Sequence, residues 1–222
     1  MSKPLIRFVL CLVLIIAVGG VYWQTGSHGT VNCDDYYITD LGLFETTIFS
    51  FDNFVFGLTY KVCGVWMPLT YFIVGVETVL FGDNYGAWHL FAAFIHSLNA
   101  ILLFLLLHKM THAVWRSFLV AGIFALHPLN VEAVAWLAAI RVVSAAFFAL
   151  LAFYFYIGYV RSLTFGRYFL AGGCYFISVF FFPMFITVPF VFLLLDVWPF
   201  ERLQRQKRSE ERRVGKECAT GC

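Results

Sequence analysis

Two adjacent acidic residues, Asp34 and Asp35, follow the first long apolar stretch of the chain by only a few residues. Neighbouring carboxylates repel each other, so one of the two is suited to take a proton from a substrate hydroxyl. The same pair could instead hold a divalent cation, or belong to a solvated acidic loop. The residue types alone leave these three interpretations open.

A second group of ionisable residues, His127, Glu132 and Arg141, surrounds a short apolar piece at residues 133–140. The apolar stretches on either side place this group at the same membrane depth as the aspartate pair. Arginine at this depth suits a phosphate group, because a guanidinium can bind two phosphate oxygens at once. Alternatively, Glu132 and Arg141 pair with each other and anchor the turn.

Three polar residues, His89, His96 and Asn99, share one face of a predicted helix over residues 86–107. Hydrogen bonds between helices explain these side chains without a ligand, and we favour that interpretation over a metal site. We keep His89 among the candidate substrate-binding residues and predict no metal centre.

The elements that carry these residues must lie in lipid. Of 222 residues, 61% are hydrophobic, 20% are aromatic and only 13% are charged, and the mean hydropathy is +0.83. A water-soluble protein cannot bury so many apolar side chains. The composition therefore excludes a soluble enzyme, a disordered chain and a nucleic-acid-binding protein, and it predicts an all-α integral membrane protein.

Long uncharged stretches predict about six membrane spans, with the last stretch, at residues 168–195, forming two short helices that turn near Pro183. We expect the first stretch to be a retained helix and not a cleaved signal peptide. Residues 68–80 are expected to form a helix lying on the membrane surface. The other predicted spans are at residues 8–23, 86–107, 117–131 and 142–160.

Charge distribution predicts the orientation. With a cytoplasmic N-terminus, basic residues predominate inside and acidic residues outside, as the positive-inside rule requires. The inner bases are Lys3, Arg7, Lys109, Arg116, Arg161, Arg167, Arg202, Arg205 and Lys207, against the acids Asp196 and Glu201. The outer acids are Asp34, Asp35, Asp40, Glu45, Asp52, Glu77, Asp83 and Glu132, against the bases Lys61 and Arg141.

The last residues of the chain, 208–222, change abruptly from apolar to charged. The string RSEERRVGKEC matches a translated sequencing adapter, so we expect this tail to be non-native rather than a natural solvated basic tail. We therefore interpret residues 1–207 as the N-terminal part of a longer membrane domain, with a first outer loop at about residues 24–85.

Several motifs between residues 31 and 200 resemble the bacterial relatives of transmembrane, TPR-containing O-mannosyltransferases. These proteins belong to the GT-C class of polyprenyl-phosphate-sugar-dependent glycosyltransferases. The motifs that carry the resemblance are VNCDDYYIT, WMPLTYF, LFGDNYGAWHLFAAFIHSLNAILLFLL, ALHPLNVEAVAWLAA and PMFITVPFVFLLLDVWPF. Members of this family usually continue through further spans into TPR repeats.

The resemblance implies a GT-C-like bundle with outer-face interfacial helices in a bacterial inner membrane. It implies transfer of a sugar, with mannose a candidate, from a polyprenyl phosphate to a hydroxyl of an acceptor protein or glycan, with protein Ser/Thr expected. Asp34 and Asp35 match the family's catalytic acidic motif, while His127 and Glu132 match the segment lining the outer cleft. No soluble cofactor and no nucleic-acid partner is implied.

Three positions depart from the family pattern. Arg141 lies one place later than the usual arginine, Phe182 stands where a lysine is common, and Met67 stands where a basic residue or histidine is common. The missing lysine at Phe182 favours an alternative, a non-catalytic membrane scaffold that kept the fold, whereas the intact pair of Asp34 and Asp35 opposes it. A channel or transporter is a third interpretation, but only His89, His96 and Asn99 offer a polar path and no inverted repeat is present.

Overall fold

The computed structural model describes residues 3–31, 34–35, 55, 57–59, 61 and 65–198. Its regular structure there is helical. Helix α1 spans Lys3–Tyr22 and is continued by a 3-10 turn, Trp23–Ser27. The helices that follow are α2 (Pro68–Phe81), α3 (Tyr85–Thr111), α4 (Val114–Leu126), α5 (Val131–Ala135), α6 (Ile140–Ser162), α7 (Phe165–Phe181) and α8 (Val188–Val197).

Three helical segments are long and apolar enough to cross a membrane: Pro4–Ser27, Tyr85–Thr111 and Leu137–Ser162. A fourth is possible if α4 and the segment Pro128–Ala135, which are bent by 50° relative to each other, count as one broken span. The prediction of an all-α chain is confirmed for the described residues, and three to four of its helical segments are compatible with a membrane protein. The segments Phe165–Phe181 and Pro183–Val197, which correspond to the last two predicted spans, are shorter, so the prediction of six spans stays a prediction.

Helix α3 is the central element of the bundle, with α1, α4 and α6 packed around it. One apolar cluster joins α1, α3 and α4 through buried side chains such as Leu14, Phe104 and Ala121. A second joins α2, α3 and α6 through Val74, Trp88 and Ile140. Because several of these contact residues are alanines, the helices can approach closely, as is common in membrane bundles.

Polar side chains of α3 also connect the helices. The His96 Nε2 atom lies 3.1 Å from the Ala125 carbonyl oxygen, and Asn99 Nδ2 donates to the Val143 carbonyl at 2.9 Å. Both residues are buried. They act here as links between helices, which is the role that we favoured over a ligand site.

The long helices alternate in direction, so the bundle has two chemically different ends. The start of α1 and the ends of α3 and α6 form one end, which we call the basic end. It carries Arg7, Lys109, Arg116, Arg161 and Arg167. The end of α1, helix α5 and the starts of α3 and α6 form the opposite end, which we call the acidic end. It carries Asp34, Asp35, Asp83, Glu132 and Arg141.

The helix expected at residues 68–80 forms as α2, but it is not a purely surface element. Its residue Glu77 is only 2% exposed. Burial raises the pKa of the Glu77 carboxyl to about 9, so this group is neutral at pH 7. Glu77 therefore does not contribute to the outer negative charge in which we counted it.

The predicted break at Pro183 is present. Helix α7 ends at Phe181, and a 3-10 turn, Pro183–Thr187, follows. The described residues 186–198 belong to a separate compact unit, in which α8 spans Val188–Val197 with Pro189 in its first turn. The predicted tail at residues 208–222 lies outside the described residues.

Close backbone contact at the acidic end yields a test of this packing. A Cβ atom placed on Gly86, in the first turn of α3, would overlap the Gly26 carbonyl oxygen and lie 2.8 Å from its carbon. We expect Gly86→Ala to lower the free energy of unfolding by about 1–3 kcal/mol, because backbone and not a flexible side chain would have to move. Thermal unfolding in detergent micelles measures this change.

The matched control is Gly173→Ala in α7, where an added Cβ meets nothing within 4 Å. This variant should be neutral or slightly stabilising, since alanine favours helix by about 1 kcal/mol over glycine. Equal melting temperatures for the two variants would contradict the close approach of the 3-10 turn to α3.

Candidate functional site

Asp34 and Arg141 form an ion pair at the acidic end. The Arg141 Nη2 atom lies 3.5 Å from Asp34 Oδ2. The Asp34 side chain is 39% exposed and the Arg141 side chain 15%. A carboxylate that a substrate can reach thus lies beside a cation that is largely sheltered from solvent.

The neighbouring residue Asp35 has a different environment. It is completely buried, and each of its oxygens accepts a backbone hydrogen bond: Oδ2 from Val31 N and Oδ1 from Ala138 N, both at 2.9 Å. Val31 precedes the aspartates in the chain, whereas Ala138 belongs to the turn before α6. Asp35 therefore fastens the start of the first loop to the α5–α6 connection.

Arg141 is positioned by its own helix start and by aromatic rings. Its Nη1 donates to the Ala138 carbonyl at 2.7 Å, and its Nε is buried without a hydrogen-bond partner among the described residues. The guanidinium carbon lies 5.8 Å from the ring centres of both Trp136 and Phe182. Rings at this distance attract a cation and reduce its access to water.

His89 lies on the inner side of this site. It is 2% exposed, and its Nε2 is 3.3 Å from the Gly29 carbonyl oxygen. The ring of His28 meets it edge-on, with centroids 6.0 Å apart. In this arrangement His89 supports the segment that leads into Asp34 and Asp35, and it offers little surface to a substrate.

The other two predicted site residues are not part of this group. His127 is exposed, and its Nδ1 accepts from Leu129 N at 3.2 Å, closing the turn after α4. Its ring lines a mainly apolar cavity with residues of α1 and α4. Glu132 is exposed in the first turn of α5.

The structure shows no ion pair between Glu132 and Arg141, as the alternative interpretation would require; the arginine pairs with Asp34. The chain turns sharply between Glu132 and Arg141: α5 ends at Ala135 and a 3-10 turn, Leu137–Ala139, precedes α6. The hydrogen bond from the backbone N–H of Ala138 to Asp35 was not predicted from the sequence. The available signal was the small-residue run at residues 138–139, which lets another side chain reach the backbone.

Together these residues provide a proton acceptor and a fixed cation at one end of the bundle. Asp34 is the accessible base, and Arg141 retains donors for an anionic group. Within residues 3–31, 34–35 and 65–198, no three His, Cys, Asp or Glu side chains come close enough to hold a metal ion.

Comparison with protein-family models, curated proteins and solved structures found no match for this chain.

The two aspartates should respond differently to the same substitution. Asp35→Asn places an NH₂ group against Val31 N or Ala138 N, so we expect it to lower the free energy of unfolding by about 1–3 kcal/mol. Asp34→Asn removes only a half-exposed ion pair and should cost about 1 kcal/mol or less. Thermal unfolding of both variants in the same detergent measures the difference, and a larger loss for Asp34→Asn would contradict the assigned roles.

Proposed function

We propose that this protein is a membrane glycosyltransferase of GT-C architecture that moves a sugar from a polyprenyl phosphate to a hydroxyl acceptor. The observation that carries the proposal is the exposed Asp34 carboxylate beside the sheltered Arg141 guanidinium. The resemblance of the motif around Asp34 supports the same chemistry. The acceptor hydroxyl then belongs to a protein Ser/Thr or to a glycan.

Asp34 is the general base in this reaction. An acceptor hydroxyl has a pKa far above neutral, so its attack needs a carboxylate within hydrogen-bond reach. The proton passes to Asp34 while the acceptor oxygen bonds to the anomeric carbon. The bond from that carbon to the phosphate oxygen breaks, and the lipid phosphate leaves with the electron pair.

Arg141 binds the phosphate of the donor and stabilises the charge that develops on the leaving group. Its 3.5 Å contact with Asp34 is long enough for a phosphate oxygen to compete for the same donor. The rings of Trp136 and Phe182 limit water around the guanidinium, which strengthens its attraction for an anion.

Asp35 is a positioning residue. It is completely buried, and each of its oxygens accepts a backbone N–H bond, so a substrate hydroxyl does not reach it. By fixing the loop against Ala138 it holds Asp34 within reach of Arg141. This division of roles agrees with the expectation, drawn from the resemblance, that Asp34 matters more than Asp35 for sugar transfer.

The orientation belongs to the same proposal. With the basic end on the cytoplasmic side, the positive-inside rule places Asp34 and Arg141 at the outer face of a bacterial inner membrane. A polyprenyl-phosphate sugar would then reach the site from the outer leaflet.

A non-catalytic scaffold is the second candidate, and one observation favours it. The Phe182 ring lies beside Arg141 at the position where the family often has a lysine. An apolar ring there supplies no charge to a phosphate. The transfer assay below distinguishes the two candidates.

Replacing the base tests the catalytic role. In membrane vesicles containing the protein, Asp34→Asn should lower sugar transfer from polyprenyl-phosphate mannose by about 10²-fold or more, the usual effect of losing a general base. The matched control is Asp83→Asn, an exposed aspartate at the same end. Parent-level transfer by Asp34→Asn would contradict the assignment, and no transfer by the parent with any polyprenyl-phosphate sugar would favour the scaffold.

Replacing the cation tests the donor site. Arg141→Ala removes charge-assisted hydrogen bonds to the phosphate, so we expect the KM for the lipid donor to rise about tenfold or more. Arg116→Ala, at an exposed arginine of the basic end, should leave KM unchanged. An Arg141→Ala variant with the parent's KM would show that the phosphate is bound elsewhere.

A further inference from the structure

Two adjoining cavities lie at the basic end, on the side of the bundle away from Asp34. One, of about 470 Å³, is bordered by the start of α1, the end of α3 and the start of α4. The other, of about 280 Å³, extends toward the end of α6. Both are lined by Arg7, His108 and His112, so they form one opening, which we call the basic pocket.

The basic pocket is strongly cationic. Besides Arg7, its second cavity is lined by Lys109 and Arg161. The only ion pair within the described residues joins Arg141 to Asp34 at the other end, so none of these three cations is neutralised by a described carboxylate. A cluster of uncompensated cations around a cavity attracts an anion.

Some hydrogen-bond donors in the basic pocket are already bonded to protein groups, and others are not. Lys109 Nζ donates to the Tyr154 carbonyl at 2.9 Å and lies over the Tyr154 ring, and Arg161 donates to the Lys109 carbonyl. Arg7, in contrast, makes no hydrogen bond or ion pair with a described residue, and His108 Nδ1 is buried without a partner. Arg7 therefore has its full set of donors available for a ligand.

The position and the apolar rim indicate which anion fits. Arg7 directly precedes the uncharged stretch at residues 8–23, and His108 directly follows that at residues 86–107, so both lie where hydrocarbon gives way to headgroups. Ile6, Val114 and the largely exposed Trp115 complete the rim of the larger cavity. Apolar side chains beside cations suit the phosphate and upper acyl chains of a phospholipid better than a soluble ion.

We propose that the basic pocket binds the phosphate of an anionic phospholipid, with Arg7 as its principal ligand and Lys109, His112 and Arg161 around it. Such a lipid would fill the gap between α1, α3 and α4 at this end and neutralise the charges gathered there. The proposal does not depend on the sugar-transfer reaction, since the two sites lie at opposite ends of the bundle.

Native mass spectrometry of the full chain in detergent tests the proposal, with phosphatidylglycerol as the probe and phosphatidylcholine as the neutral comparison. The parent should bind phosphatidylglycerol in preference to phosphatidylcholine. Arg7→Gln should weaken phosphatidylglycerol binding at least about fivefold, the effect of one cation at a membrane surface, whereas Arg7→Lys should keep most of it. The matched control is Arg116→Gln, an exposed arginine on α4 that lines neither cavity.

Each outcome decides the proposal. Equal weakening by Arg7→Gln and Arg116→Gln would mean that the lipid responds only to the general charge of this end, and the proposal would be overturned. Displacement of phosphatidylglycerol by millimolar inorganic phosphate would identify a site for a soluble anion instead. If Arg7→Gln does not fold, the parent decides alone: equal binding of the two lipids at 50 mM salt refutes a specific anionic site.

Discussion

The buried carboxylate of Asp35 is the contact on which the acidic end depends. It joins two pieces of chain that are far apart in sequence, Val31 and Ala138, through hydrogen bonds of 2.9 Å to their backbone N–H groups. A buried charge is tolerated only when such partners are present, so the loop and the turn before α6 must move together. Asp34, one residue away, is thereby fixed next to Arg141. The geometry that the proposed chemistry needs therefore depends on the two hydrogen bonds of Asp35.

The same type of contact holds the bundle together. Apolar burial gives little preference for one helix arrangement in lipid, so association relies on small residues and on side chains that bond to backbone groups of a neighbouring helix. Asn99 reaches the Val143 carbonyl, Ser178 reaches the Ala145 carbonyl, and Thr70 reaches the Phe181 carbonyl. These bonds also bring Phe182 and Arg141 together, because they set the positions of α6 and α7.

Local features of this chain could be predicted from its sequence, and long-range pairings could not. Hydropathy and proline act over a few residues, which is why the helical membrane class, the helix near residues 68–80 and the break at Pro183 were predictable. The partner of Arg141 was not, because it depends on Asp35 binding the Ala138 backbone. The small residues at positions 138–139 permit that contact, but they do not specify which side chain makes it. The short lengths of α7 and α8 likewise leave the six-span prediction open.

The opposite charges of the two ends have different physical consequences. At the acidic end, Asp34 and Arg141 pair with each other, so the donor phosphate that we propose would have to compete with a carboxylate for the guanidinium. At the basic end, Arg7 has no described competitor, so an anion there gains the full attraction of the cations around it. A site that must release its ligand after each reaction benefits from such competition, whereas a site that retains a lipid does not. The contrast supports the two different ligands that we propose, a donor phosphate that leaves Arg141 after each reaction and a phospholipid that stays bound at Arg7.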